Sequence, residues 1–219
     1  MQPSHDDNDA PLIITIGRQM GCGGRELGRL LSSRLGIGYY DKELLIDVAR
    51  QAGMPPEYLA SKDERTPSFL SGVMSFTFGH SPVNFYATPS AISDDNLYAI
   101  QSDYIRELGR RESCVIVGRT SDYILRDHPK CVNVFLHASE DDCIRRIMER
   151  GDVKTPHEAK ALMTRTNKIR SAYYNFFTDR RWGCAATYDL CINTSLMSME
   201  QVADVVLFYI KQRYGIDCN

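Results

Sequence analysis

Five short apolar segments alternate along the chain with longer segments whose apolar residues recur every three or four positions. The five short segments read "LIITIG", "IGYYD", "CVIVG", "CVNVFLHA" and "YDLCINTS". Short apolar runs of this kind are typical of strands that are buried on both faces of a sheet. The helical stripes comprise Leu27, Leu30, Leu31 and Leu35; Leu44, Leu45, Val48, Ala49 and Ala52; Leu97, Ile100, Tyr104 and Leu108; Cys143, Ile144, Ile147 and Met148; and Val202, Val205, Val206, Tyr209 and Ile210. Because strands that alternate with helices build parallel sheets, the pattern predicts an α/β fold whose parallel sheet is flanked by helices.

Capping residues indicate where several of these helices begin and end. Gly36 follows the first stripe and predicts the end of that helix. The segment Thr155-Pro156-His157-Glu158 is a capping box with proline at the first helical position. Ser198, three residues before Gln201, predicts the start of the last helix.

Two stretches break the alternation. Residues 1–10 are polar and acidic, and we expect a disordered tail there. Residues 61–95 are rich in Ser, Thr, Pro, Gly and Phe and show no sustained period. A stretch of that length without an element is more often functional than idle, and a partly ordered surface loop is the alternative.

Composition narrows the class of protein. The chain has 219 residues, of which 43% are hydrophobic and 25% charged, and its net charge is −2. A negative balance argues against general nucleic-acid binding, which needs a basic surface. The seven cysteines are scattered, odd in number and free of C-x-x-C pairs, so neither a disulfide framework nor a zinc site is indicated. No segment resembles a signal peptide or a membrane span, so we expect a cytoplasmic protein without a membrane partner.

A cluster of glycines, "GRQMGCGGRELG", lies between the first predicted strand and the first predicted helix. This order is typical of a phosphate-binding loop, in which backbone N–H groups surround an anion at a helix N-terminus. The usual pattern G-x-x-x-x-G-K-[ST] fails, because Gly17 and Gly23 are one residue too far apart and Gly24 stands where lysine is expected. Arg25 and Glu26 follow. A tight turn that binds no ligand is the alternative interpretation.

Charged residues follow the predicted strands at positions that suit ligand binding. Arg119 leaves the carboxyl end of the "CVIVG" strand, where parallel sheets bind ligands, and its guanidinium suits a phosphate. Asp41 closes the second strand, where a helix N-cap is the alternative role. Residues 145–181 carry ten cations against four carboxylates, and Arg165 and Lys168 share one helical face. Such a cluster could neutralise a transferring phosphoryl group, although a charged run is usually only a solvated surface.

Five segments together resemble the cytidylate kinase-like family, a group of P-loop nucleoside monophosphate kinases. They read "GCGGRELG", "YYDKELL", "VIVGRTSDYIL", "VFLHASEDDCIRRI" and "INTSLMSMEQV", and the resemblance extends from about Leu12 to Tyr209. It implies a three-layer P-loop kinase-like fold with a helical lid and an insertion. One domain would cover residues 11–214, with the acceptor-binding insertion at about 55–110 and the lid at about 145–182.

The resemblance also implies a site. The donor nucleotide, ATP, would bind at the loop residues Gly21, Cys22, Gly23, Gly24, Arg25 and Glu26. Asp41 and Arg119 would face the acceptor. The catalytic cations would be Arg25 and, on the lid, Arg165, Lys168 and Arg170, and Glu26 would help to place Mg²⁺. The implied reaction is transfer of the γ-phosphoryl group of ATP to a small acceptor, a nucleoside monophosphate such as CMP; the oligomeric state is left open.

Departures from the family pattern keep other functions open. The loop lacks its lysine and its hydroxyl residue, and Thr166, Asn167 and Ile169 stand where lid acids are expected. A nucleotide-binding regulatory protein without catalysis would fit the missing lysine. A kinase for a non-nucleotide small molecule would fit the Phe- and Ser-rich stretch. Cys22 could be a redox-sensitive thiol with a lowered pKa, but we favour a role as a small buried residue.

Overall fold

The computed structural model describes residues 10–41 and 94–216, without the side chains of residues 94–97. The chain divides into two compact units. One comprises Met1–Asp41 and Ile105–Asn219, and the other Lys42–Tyr104. The predicted helix at Leu44–Ala52, most of the stretch 61–95 and residues 1–9 lie outside the described residues. The same holds for most of the predicted insertion.

A five-stranded parallel sheet forms the centre of the first unit. The strands are β1 (Ile13–Arg18), β2 (Gly38–Tyr40), β3 (Cys114–Val117), β4 (Cys131–His137) and β5 (Leu190–Asn193). Their order across the sheet is β2-β3-β1-β4-β5, and every neighbouring pair is parallel. The prediction of five strands in a parallel sheet is therefore confirmed.

Helices follow the strands in the described part of the chain. They are α1 (Gly24–Leu35), α2 (Asp94–Arg111), α3 (Ser121–Ile124), α4 (Glu140–Glu149), α5 (Pro156–Thr178) and α6 (Met199–Tyr214), with a 3₁₀ turn at Ala185–Thr187. Gly36 ends α1 in a left-handed conformation, and capping boxes begin α5 at Thr155 and α6 at Ser198. These predicted helix ends are confirmed. None of the helices among the described residues is both long and apolar enough to cross a bilayer.

The main core lies between one face of the sheet and four of the helices. Its strand residues are Ile14, Ile16, Val115, Val117, Val132, Val134, Leu136 and Ile192. Leu27 and Leu31 of α1, Ile147 of α4 and Val206 of α6 cover them and are fully buried. Arg34 of α1 also pairs with Glu200 and Asp204 of α6 at the surface. The buried side chains hold the helices against the sheet, and the ion pairs join α1 to α6.

The strand order of the sheet reverses at the central strand, β1. β1 lies in the middle, with β3 on one side and β4 on the other. In open parallel sheets the crevice outside the strand ends at such a point is the usual ligand site. The glycine cluster after β1 lies in this crevice, together with Asp41 after β2 and Arg119 after β3.

Candidate phosphate-binding site

The glycine cluster forms a tight loop that leads directly into α1. Gly21 and Gly23 have φ angles of +86° and +87°, in the left-handed region that glycine tolerates. Gly23 is the N-cap of α1, and no side chain caps the first turn. The first turn of a helix has N–H groups without partners inside the helix, and here an anion can accept them.

Two side chains from distant elements hold the loop in place. Asn167 of α5 accepts a hydrogen bond from the Met20 amide at 2.8 Å. Thr194, at the end of β5 and fully buried, donates its hydroxyl to the Cys22 carbonyl at 2.9 Å. Arg146 of α4 in turn donates to both the hydroxyl and the carbonyl of Thr194, at 2.9 and 2.7 Å. The loop is therefore braced from outside its own sequence.

Cys22 is part of the core rather than of the loop surface. Its side chain is fully buried, and its thiol donates to the Gln19 carbonyl at 3.0 Å. Burial raises the pKa of the Cys22 thiol to about 11. This contradicts the alternative of a lowered pKa, because desolvation outweighs the nearby arginines and the hydrogen bond from the Gly24 backbone. Only backbone groups of Cys22 remain for a ligand.

Arg18, the last residue of β1, extends along the edge of the sheet. Its stem passes Gly24, where an added Cβ would lie 2.8 Å from Arg18 Cγ. Its guanidinium lies against Gly118, where an added Cβ would lie 1.8 Å from Nη1. It also donates to Asp41 Oδ1 at 3.4 Å, and the Arg18 side chain is only 15% exposed. The sequence alone does not single out Arg18, because a strand-terminal arginine carries no distinguishing pattern.

Asp41 joins two arginines from the loop region. It accepts from Arg25 Nε at 2.6 Å through Oδ2 and from Arg18 through Oδ1. The residue is 4% exposed, whereas the Arg25 side chain is 45% exposed. The structure therefore brings Arg25 and Asp41 together, at the boundary between the phosphate loop and the end of β2.

Arg119 stands in a strained turn after β3. Gly118, Arg119 and Thr120 have φ angles of +82°, +64° and +54° in succession. Left-handed backbone is costly for residues other than glycine, by roughly 1–3 kcal/mol each, and strain of this kind concentrates at functional sites. The positive charge of Arg119 helps to lower the pKa of both Arg18 and Arg170, so its guanidinium is close to both.

Of the three predicted lid cations, Arg170 of α5 is the one that joins this group. It donates to the Arg18 carbonyl at 3.1 Å. Burial, followed by the charges of Arg18, Arg25 and Arg119, lowers the pKa of Arg170 to about 9, so it stays charged at neutral pH. Arg165 and Lys168 of the same helix are exposed.

A buried hydrogen bond connects α5 with the helix that follows Arg119. Tyr174 donates its hydroxyl to Asp122 Oδ2 at 2.6 Å, and both residues are buried. Burial raises the pKa of the Asp122 carboxyl. This bond fixes α3, and with it the turn at Arg119, relative to the α5 segment that carries Arg170.

The remaining features near the loop are a carboxylate and a cavity. Glu26, in the first turn of α1, is exposed. No group of three or more potential metal ligands occurs among the described residues. A cavity of about 410 Å³ lies beside the loop and is lined by Gln19, Phe135, His137 and Trp182, among others.

Comparison with protein families identifies the group to which this site belongs. The model of the cytidylate kinase-like family matches residues 13–196. The chain belongs to that family. The match spans all five strands and includes the glycine cluster, Asp41, Arg119 and Arg170. No curated protein matches the chain significantly.

Solved structures show that this member of the family has the P-loop kinase fold. An uncharacterized protein from Eubacterium ventriosum ATCC 27560 is 28% identical, with a TM-score of 0.69 over 92% of this chain and 99% of that one. Shikimate kinase from Bacteroides thetaiotaomicron is 13% identical, with a TM-score of 0.53 over 91% and 98%. A gluconokinase from Sinorhizobium meliloti 1021 is 14% identical, with a TM-score of 0.54 over 92% and 93%.

Proposed function

We propose that this protein transfers the γ-phosphoryl group of ATP to a nucleoside monophosphate such as CMP. The observation that carries the proposal is the group of arginines around the phosphate loop: Arg18, Arg25, Arg119 and Arg170. They come from β1, α1, the turn after β3 and α5, and each of the other three lowers the pKa of Arg170. Like charges repel, so such a group is costly to assemble. It is useful where phosphates have to be bound and their charge stabilised.

The residues divide between a donor side and an acceptor side. Backbone amides from Gly21 to Glu26, with Arg25, would hold the ATP phosphates at the start of α1. Arg119 would bind the acceptor phosphate, and Asp41 would orient the acceptor. Arg170, with Arg165 and Lys168 on the same helix, would bring positive charge to the phosphates when α5 acts as a lid.

The hydrogen bonds that Asp41 accepts support an acceptor that is already ionised when it binds. In the transfer, an acceptor oxygen bonds to the γ-phosphorus while the bond from that phosphorus to the β,γ-bridging oxygen breaks, which releases ADP. An alcohol acceptor must also lose a proton to a base. Both oxygens of Asp41 accept hydrogen bonds from arginines, which disfavours proton abstraction by this residue. A dianionic phosphate acceptor needs no base, and the arginines suit its charge.

Magnesium would be bound mainly through the nucleotide. Mg²⁺ in kinase sites is commonly held by one or two carboxylates together with the substrate phosphates. Asp41 is occupied by Arg18 and Arg25, so Glu26, exposed in the first turn of α1, is the carboxylate that would hold the ion directly or through water. The ion would neutralise phosphate charge beside the arginines.

The test is an acceptor panel combined with one matched pair of variants. ADP formation from ATP would be followed with CMP, dCMP, UMP and AMP. Arg119→Ala is expected to raise the KM for the acceptor by about 10- to 100-fold, because a hydrogen bond to a charged group contributes about 1.5–3 kcal/mol. The KM for ATP should change less than about threefold. Arg126→Ala, a nearby arginine on the surface, should change neither.

Two outcomes would contradict the proposal. Equal increases in the KM for ATP and in the KM for the acceptor in Arg119→Ala would refute the acceptor role of Arg119. ATP binding without acceptor-dependent turnover would favour a regulatory protein instead.

A second candidate acceptor is a small molecule that is not a nucleotide. The shared fold of a shikimate kinase and a gluconokinase favours it, since both are kinases for small hydroxylated acids. Shikimate and gluconate therefore belong in the same panel. Turnover with either of them, and with none of the nucleotides, would replace the nucleotide proposal.

A further inference from the structure

We infer that Arg18, at a position that the general phosphate-loop pattern leaves unspecified, binds the donor phosphates in place of the missing loop lysine. This inference rests on the proposed function, since it assigns one contact within the same site. The glycine at position 24 and the arginine at the end of β1 are then structurally coupled.

The first line of evidence is the space beside α1. Gly24 occupies the position where the loop pattern has lysine. An added Cβ at Gly24 would lie 2.8 Å from Cγ and 3.0 Å from Cβ of Arg18. Both of these atoms belong to the inner stem of Arg18, close to its own backbone, where little movement is available. A side chain at position 24 and the observed path of Arg18 therefore exclude each other.

The second line of evidence is where the guanidinium ends. It lies against Gly118, where an added Cβ would be 1.8 Å from Nη1 and 2.9 Å from Cζ. The Arg18 side chain thus begins beside the donor loop, and its guanidinium lies beside the turn that holds Arg119. A phosphoryl group that moves from donor to acceptor has to pass between these two places. Glycines at both contacts make room for the arginine along its whole length.

The third line of evidence is the support that holds Arg18 in this position. Its carbonyl accepts from Arg170 at 3.1 Å, and its guanidinium donates to the buried Asp41. With 15% of its side chain exposed, Arg18 is more enclosed than Arg25, at 45%. An enclosed, pre-positioned cation loses little side-chain entropy when a phosphate binds. Arg18 is thus better suited than Arg25 to the role of the lysine.

Phosphate binding can be tested without catalysis by titrating tripolyphosphate, ATP and AMP into four proteins: the wild type, Arg18→Ala, Arg18→Lys and Arg34→Ala. Arg34 is the control, because it is an α1 arginine that pairs with α6 instead. We expect Arg18→Ala to bind tripolyphosphate and ATP at least tenfold more weakly, with AMP binding changed less than threefold. Arg18→Lys should restore part of the loss, and Arg34→Ala should bind like the wild type.

Transfer of the positive charge from position 18 to position 24 provides a second test. Gly24→Lys alone should weaken ATP binding, because Arg18 occupies the space. The double variant Arg18→Gly/Gly24→Lys should bind ATP at least fivefold more tightly than Arg18→Gly, because both stem atoms that block position 24, Cβ and Cγ of Arg18, are then absent. Urea unfolding, followed by the fluorescence of the single tryptophan, Trp182, would show that each variant is folded.

The results separate this inference from the proposed function. Unchanged binding in a folded Arg18→Ala, with normal turnover in the wild type, would overturn the role of Arg18 and leave the kinase intact. If ATP binding depends on Arg18 but the wild type phosphorylates no acceptor, the role of Arg18 is supported and the proposed kinase activity is contradicted. A wild type that binds neither tripolyphosphate nor ATP would overturn both.

Discussion

Replacement of Asp41 by asparagine should destabilise the protein through the arginine that it leaves buried. Asp41 is 4% exposed and accepts from Arg18 at 3.4 Å and from Arg25 at 2.6 Å. Asparagine keeps the size and one acceptor oxygen but removes the negative charge. Arg18 would then remain enclosed among other arginines without its counter-charge.

The Arg18 pair sets the expected size of the effect. At 3.4 Å and an effective dielectric constant of about 20, the Coulomb attraction between unit charges is about 5 kcal/mol. Part of it survives as a hydrogen bond to the amide oxygen, and part is offset because asparagine costs less to bury. The Arg25 pair adds little, because its arginine is almost half exposed. We expect the free energy of unfolding to fall by about 2–4 kcal/mol.

Urea unfolding followed by Trp182 fluorescence measures this change. With a denaturant slope of about 2–3 kcal/mol per molar, the midpoint should fall by about 1 M. The matched control is Asp204→Asn, which removes a carboxylate from an exposed ion pair with Arg34 and should barely shift the midpoint. Tripolyphosphate should stabilise Asp41→Asn at least as much as it stabilises the wild type, because it restores negative charge beside the arginines.

A midpoint for Asp41→Asn equal to that of Asp204→Asn would refute this reasoning. It would mean that Asp41 does not neutralise a buried arginine. A loss that tripolyphosphate does not offset would equally contradict the placement of the arginines at a phosphate site.

Other predictions concern the supports of the site. Thr194→Val should lower the free energy of unfolding by about 1–3 kcal/mol, because the Cys22 carbonyl loses its donor, whereas Thr187→Val, which removes a local turn bond, should cost less in the same urea assay. Burial raises the pKa of Asp122 above its ordinary value of 3.8. Between pH 3.8 and the raised pKa, the folded state binds more protons than the unfolded state. The stability of the wild type should therefore fall as pH rises through this range. The stability of Asp122→Asn relative to the wild type should therefore increase from pH 3.5 to 7; a constant difference would contradict the buried-carboxyl argument. Iodoacetamide at pH 8 should alkylate the exposed Cys191 faster than Cys22, whose thiol is buried with a pKa of about 11; peptide mass spectrometry would check this order.

Local sequence signals were sufficient for the five strands, for most of the described helices and for three helix ends. The capping box at Thr155 and the glycine at position 36 act within one helical turn, so the adjacent residues specify them. The parallel sheet followed from the alternation of strands and helices. The family resemblance was confirmed by the match over residues 13–196.

The site depends on contacts that the sequence does not reveal. Arg18 and Gly118 are a hundred positions apart and meet only because β1 and β3 are neighbours in the sheet. The sequence singled out Gly24 as a missing lysine, but the reason, the stem of Arg18, lies six residues away on the strand. The brace from Arg146 through Thr194 likewise joins α4, β5 and the loop. The roles assigned to Arg25, Asp41, Arg119 and the α5 cations stay predictions.

The most direct test of the kinase is phosphorus NMR of the wild-type protein with ATP, Mg²⁺ and CMP. The account predicts that ATP signals decrease while those of ADP and of a phosphorylated CMP increase in equal amounts, with no increase in inorganic phosphate. ADP that appears with inorganic phosphate, or ATP that remains unchanged with every nucleoside monophosphate, would contradict the account.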